Sequence, residues 1–299
     1  MKANPGRHSF PTRRGGVNDV DATRLLRFIP LSVTYENLGF VSASLKDCIE
    51  AGLIESGHAL VPSICFTDLE VIYEILDSEA ERIHYLARRV EIERTMQYNG
   101  DEMDLLAFYL DTGFSIGEWE GGQHFISMAG KSTELDPFFV GRADGVSVPK
   151  PRLKLTDWWR AILSRISWAK LGFWTEITYI FLSVAHGDQK KFEKSLKKLV
   201  GRIRQGKVPH RHNCVTMISG TRSVRQYALV GFPYRAATRD ERNRMMNHFA
   251  AEAEENTLVH GVVVLGINMD SPHYPYDALG FLPGHAPGAL DFAQSISKQ

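Results

Sequence analysis

The run from Gln189 to Arg204 constrains the fold more than any other stretch. Its apolar residues Phe192, Leu196, Leu199 and Ile203 recur at spacings of four, three and four, which gathers them on one side of an α-helix. Seven of the other twelve positions are basic. The helix must therefore lay an apolar stripe on a core and turn a cationic face outward. The whole chain is balanced, with 35 Lys+Arg against 35 Asp+Glu, but the halves are not. Phe66 to Glu120 carries fourteen acidic and four basic residues, whereas Gln189 to Arg211 carries nine basic and one acidic.

Two kinds of surface fit such a helix. In the first, Lys190, Lys191, Lys194, Lys197, Lys198, Arg202, Arg204, Lys207 and Arg211 form a phosphate-binding face, and counterion release makes nucleic-acid binding steeply salt-dependent. In the second, the face is simply solvated, or docks on the acidic half of the same or another copy, the latter giving a homo-oligomer held by screenable charge. The helix itself interleaves no aromatics for base stacking, because Phe192 belongs to the apolar stripe.

With 299 residues and 43% hydrophobic composition, the chain has room for two domains and a core that needs no staples. Cys48, Cys65 and Cys214 are odd in number, sparse and without a C-x-x-C, and no apolar signal segment follows Met1, which together predict a cytoplasmic setting. Leu171 to Ala185 is interrupted by Glu176 and falls short of the ~20 residues a bilayer requires, so no membrane partner is expected.

The order of patterns predicts a mixed α+β fold. Residues 1–22 read as a loose tail, and residues 23–148 as an N-terminal α/β region with acidic helices. That region holds strands near 27–34 and 60–65, a helix over 41–53, and helices over 67–77 and 79–97 opened by capping boxes at Thr67–Glu70 and Ser78–Glu81. A further helix starts near Asp101, with Met103, Leu106, Ala107 and Leu110 on one face, and 114–148 reads as short strands and loops. The prolines at 149 and 151 open a linker over 149–156. Beyond it, 157–299 holds an αα-hairpin with the stripes Trp158, Ile162, Leu163, Ile166 and Ile177, Ile180, Phe181, Val184. The order β-β-α-β then follows, with strands at 213–219, 226–233 and 262–267 and a helix capped at Thr238. Two small helix-covered mixed sheets joined through the hairpin are expected.

Motifs for chemistry are few. Gly201 to Val208 matches G-x-x-x-x-G-K, but Val208 stands where a P-loop needs Ser or Thr, and the segment closes a helix instead of opening one. Gly206 reads better as a helix C-cap. His210, His212 and Cys214 alternate, so on a strand they share a face, and imidazole with thiolate suits zinc or another divalent metal; a basic strand start with a buried cysteine is the plainer reading. Asp270, His273, Tyr274, Tyr276, Asp277 and His285 form a loop cluster that either lines a pocket or ties the loop down. There is no G-x-S-x-G and no G-x-G-x-x-G, and the only acid-x-Lys is Asp188 before Lys190, at a helix start.

Several segments resemble a known group. Arg27 to Gly39, Phe66 to Ile72, Arg82 to Arg89, Gly100 to Leu110 and Tyr274 to Ala278 look like the C-terminal portion of uncharacterised bacterial proteins. In longer members this portion follows a restriction-endonuclease-like, nuclease-related domain. The resemblance spans residues 27–281 and rests mostly on helix starts and aromatic helix faces. The acidic strand residues of a nuclease core are not in this sequence, so the resemblance carries over no catalytic residue. It implies a companion region, truncated or stand-alone, acting in recognition, regulation or assembly around nucleic acid, without a cofactor. The competing expectations are a metal-dependent hydrolase or nuclease using His210, His212, Asp270, His273 or Asp277, and a structural protein that self-associates.

Overall fold

The chain starts pairing early. In the computed structural model, which describes residues 6–12, 15–21, 29–36, 45–53, 55, 61–115, 125–209, 213–219, 226–235, 238–256, 259–270 and 273–284, β1 (Arg7–Pro11) and β2 (Val17–Asp21) form an antiparallel hairpin. This corrects the expectation of a loose tail over 1–22. The turn accounts for it: Gly15 takes φ +76°, and the Gly16 N–H donates to Thr12 Oγ1 at 2.9 Å.

In place of one N-terminal sheet there are two short parallel ladders, β3 (Ser32–Thr34) with β4 (Ser63–Cys65), and β5 (Gln97–Asn99) with β6 (Phe125–Ser127). Around them lie α1 (Leu45–Glu50), α2 (Phe66–Ile75), α3 (Glu79–Thr95), α4 (Glu102–Thr112), a 3-10 turn at Lys131–Glu134 and α5 (Asp136–Ala143). The capping box at Ser78 forms as the sequence predicts, with Ser78 and Glu81 each satisfying the other's backbone N–H at 3.1 Å. Thr67 does not cap. The helix begins one residue earlier, at Phe66 with Cys65 in the N-cap position, and the Thr67 hydroxyl lies 2.9 Å from Cys65 Sγ instead. Helix α5 falls where loops were expected, helped by Pro137 in its first turn.

The C-terminal half contains α6 (Asp157–Ala169), α7 (Trp174–Leu182), α8 (His186–Arg204), β7 (Val215–Ser219), β8 (Tyr227–Tyr234), α9 (Arg239–Asn256), β9 (Gly261–Asn268) and β10 (Ala278–Pro283). The strands form one mixed sheet in the order β10-β9-β8-β7, with β8 and β9 parallel and the outer pairs antiparallel. Strand β10 lies in a segment read from sequence as loop. All eight residues of β8 are buried, so both faces of the sheet must be covered. Val230 and Phe232 join the core formed with Phe249 and Ala250 of α9, while Leu229 joins the core that includes Phe192 and Leu196 of α8. At Gly231 a Cβ would stand 2.9 Å from Phe192 Cζ; its absence lets α8 approach the sheet.

The residues between Pro149 and Thr156 do not interrupt the core. Leu153 is buried, Lys154 N–H donates to Leu110 C=O at 2.9 Å, and one contiguous cluster runs from Ile64 to Leu279. Within it, the apolar stripe of α6 starts at Trp159, fully buried with its indole N–H on Phe181 C=O at 2.8 Å, and not at Trp158. Trp159, Ile162, Leu163 and Ile166 satisfy the i, i+3, i+4, i+7 rule better than a stripe begun one residue earlier.

A buried polar cluster joins the N-terminal helices. Arg89, 1% exposed, donates to Glu93 of its own helix and at 3.1 Å to Glu102 of α4, while Tyr85 and Tyr98 donate to Glu102 and Glu93. Burial alone would lower the Arg89 pKa, but Glu102, Tyr98 and Glu93 raise it well above its ordinary value, so the guanidinium stays charged. Nearby, Arg88 donates to Glu91 and to Phe114 C=O, and Tyr179 of α7 donates to Glu91 at 2.8 Å. Arg89→Leu should cost about 3–5 kcal/mol in urea unfolding, because it strands two buried carboxylates. Adding Glu93→Gln and Glu102→Gln should recover part of that loss.

Asp68, in the first turn of α2, has its pKa raised from 3.8 to about 6 by burial and then by Glu102 and Asp101. The folded state therefore holds this proton where the unfolded chain has released it. Its contribution to stability is full below pH 3.8 and is lost as the pH rises to about 6. Asp68→Asn should flatten unfolding free energy against pH across that window, without altering the slope above pH 7.

Candidate functional site

Helix α8 seats Phe192, Leu196, Leu199 and Ile203 in the core, and at about 100° per residue its seven basic positions fan over an arc of about 160° on the other side. All seven are exposed. The helix ends at Gly206, φ +70°, where Gly206 N–H donates to Ile203 C=O and Lys207 N–H to Arg202 C=O, both at 2.9 Å. That paired closure satisfies the last carbonyls, so the G-x-x-x-x-G-K match is a helix stop and not a phosphate loop.

Lys191 pairs with Asp188 at 2.8 Å, and Lys197 lies 4.0 Å from Glu193. Lys190, Lys194, Lys198, Arg202, Arg204 and Lys207 make no ion pair among the described residues. The acidic half is engaged elsewhere. Glu74 pairs with Arg142, Asp77 with Lys150 and Arg152, Glu79 with Lys170, and Asp111 with Lys131 and Lys154. Glu91, Glu93 and Glu102 hold Arg88 and Arg89. Residues 131–170 thus neutralise much of the acid that the sequence sets opposite the basic helix.

Lys190, Lys197 and Arg204, two helical turns apart, form one wall of an open groove of about 1070 Å³. Trp158 of α6 and Tyr274 of the loop before β10 supply aromatic lining to the same groove, with Leu196, Val200 and Ile267. Trp158 is fixed by its N–H on Pro275 C=O at 2.8 Å and by stacking on Phe192, with centroids 6.3 Å apart and planes 21° apart. Tyr274 is 68% exposed, on a loop anchored by Arg165 to Tyr276 C=O and by Asp277, which accepts from the backbone N–H of Asn268 and His273. His186 also lines the groove; burial, then Lys190 and Lys154, push its pKa below 6.5, so it is neutral at pH 7. Two carboxylates, Asp157 and Glu193, complete the lining, the latter accepting from the Thr156 hydroxyl.

No family model, curated protein or solved structure matches the chain. What the groove can do follows from its own chemistry. A row of cations and two aromatic rings lining one groove can hold a polyanion that also presents flat apolar surfaces.

Of the nine basic residues singled out in the sequence, three face the groove. Lys191, Lys194, Lys198 and Arg202 lie on the outer arc, Lys207 follows the helix stop, and Arg211 lies outside the described residues. His210 and His212 also lie outside them. Cys214 immediately precedes β7, packs on the core beneath α9 and has its thiol pKa pushed up by burial. Among the described residues no group of three His, Cys, Asp or Glu is placed to share a metal ion. Asp277 ties its loop down; Asp270 lies 4.0 Å from Arg235, His273 is exposed, and His285 is outside the described residues. Trp158 and His186 were missed as groove residues, Trp158 because it reads as core from its neighbours; Tyr274, named among residues that could line a pocket, does line this one, and it shares the groove with Trp158 only across more than a hundred residues of chain.

Gly201 sits in the helix between Lys197 and Arg204, and a Cβ there would touch nothing within 4 Å. An interior helical glycine costs about 0.5–1 kcal/mol relative to alanine, and no packing contact requires this one. Gly201→Ala should raise unfolding free energy by roughly that amount, read by urea denaturation.

Proposed function

We propose that this chain is a non-catalytic, nucleic-acid-associated module that engages phosphates through the exposed basic arc of α8 and Lys207. The observation that carries this reading is the contrast in pairing: six of these cations lack an ion-pair partner among the described residues, while seven of the twelve described acidic residues of 66–120 pair with residues 131–170 or with Arg88 and Arg89. Lys190 and Lys194, and Lys194 and Lys198, stand one turn apart with like charge. Such pairs each destabilise a helix by about 0.2–0.5 kcal/mol, a repulsion that a bound polyanion relieves. The resemblance to companion regions of nuclease-related proteins points to the same class of partner.

Fluorescence anisotropy with labelled oligonucleotides tests the reading. For four to six phosphate contacts, log K should fall against log salt with a slope of about −3 to −5. Charge reversal at Lys194, Lys197 and Lys198 should weaken binding at least about tenfold at 50 mM salt. Unchanged affinity in that triple variant, or a flat salt dependence, would overturn the reading.

A further inference from the structure

We infer that the groove beside α8 is a seat for single-stranded nucleic acid, with phosphates along Lys190, Lys197 and Arg204 and a base against Tyr274 and the exposed part of Trp158. This deepens the nucleic-acid reading above and rests on it. The three cations repeat every seven residues, so they lie on one line about 21 Å long, parallel to the helix axis. A line of charge suits a backbone, whereas a compact anion would need the cations to converge.

The aromatic lining decides the strand number. Paired and stacked bases in a duplex hide their faces, and only an unpaired strand can offer a base to an aromatic side chain. Trp158 cannot turn away, since its N–H is held by Pro275 C=O and its ring rests on Phe192. Tyr274 is presented on a loop that Arg165 and Asp277 anchor from both sides, so little ordering is left for the ligand to impose. The carboxylates Asp157 and Glu193 on the lining disfavour a ligand that is anionic throughout, such as a sulfated polymer or an acidic peptide. They accommodate bases, whose exocyclic amino groups donate to carboxylates. Glycine at 201 keeps the cationic wall bare between Lys197 and Arg204, where a backbone would lie.

The test uses the full chain with labelled 12-mers of dT, dA and U and a 12-bp duplex, in anisotropy titrations at 50 and 200 mM salt. The single strands should bind at least about tenfold more tightly than the duplex, and the DNA and RNA arms report which backbone is preferred. Tyr274→Ala, an exposed position, should weaken single-strand binding about tenfold with the salt slope unchanged, while Tyr274→Phe stays within about twofold. Lys197→Gln should weaken binding and reduce the magnitude of the slope by about 0.7. Equal affinity for duplex and single strand, or an unchanged Tyr274→Ala variant beside a weakened Lys197→Gln variant, would overturn the single-strand inference and leave the phosphate reading standing. No binding of any oligonucleotide at 50 mM salt, or heparin binding more tightly than all of them, would overturn both.

Discussion

Helices α3 and α4 and the short strand β5 are arranged around one buried guanidinium. Arg89 cannot lose its charge and cannot reach water, so the chain must bring carboxylates and phenols to it, and these arrive from α3, α4 and the short strand β5. Apolar packing tolerates some sliding, but a forked donor held by two acids does not. The helices it joins are therefore fixed in register, and α7 is fastened beside them through Tyr179 on Glu91 and through His84, whose ring nitrogens lie 3.0 Å from Tyr109 Oη and 3.1 Å from Ser183 Oγ.

That arrangement bears on the charge left at the surface. Many acidic residues counted between Phe66 and Glu120 are turned inward or matched by residues 131–170, so the counted excess overstates the negative charge left on the surface. On helix α8 only Lys191 and Lys197 have an acidic partner among the described residues. Its direction is set by the sheet: Phe192 passes over Gly231, where any side chain would collide with it, and the rest of the apolar stripe follows. Once that stripe is seated, the basic arc has nowhere to point except outward and over the groove.

The sequence made the local features legible. Amphipathic spacing located α8 and α7, and Ser78 and Asp101 marked helix starts where capping boxes form. The continuous apolar run of β9 marked a buried strand. What escaped depended on partners distant in the chain. The hairpin β1–β2 and strand β10 owe their existence to neighbours, and α5 lies in a stretch without clear periodicity. Trp158 and Trp159 are adjacent and chemically identical; only the packing of Phe181 against one and the approach of Pro275 to the other separate a core residue from a groove residue. The groove was illegible for the same reason, since its aromatic residues Trp158 and Tyr274 come from opposite ends of the C-terminal half. Periodicity gives the side of a helix a residue occupies but not what stands across from it.

The division of α8 into a seated stripe and a free arc also shapes how this chain can change over generations. A substitution among Phe192, Leu196, Leu199 or Ile203 disturbs the sheet and is paid for in folding, whereas exchanging Lys194, Lys198 or Arg202 on the outer arc for Gln or Glu breaks no ion pair among the described residues. Attraction to a polyanion can therefore drift up or down one charge at a time, with the fold as a bystander. Selection is left free to set the strength of the surface independently of the stability of the scaffold.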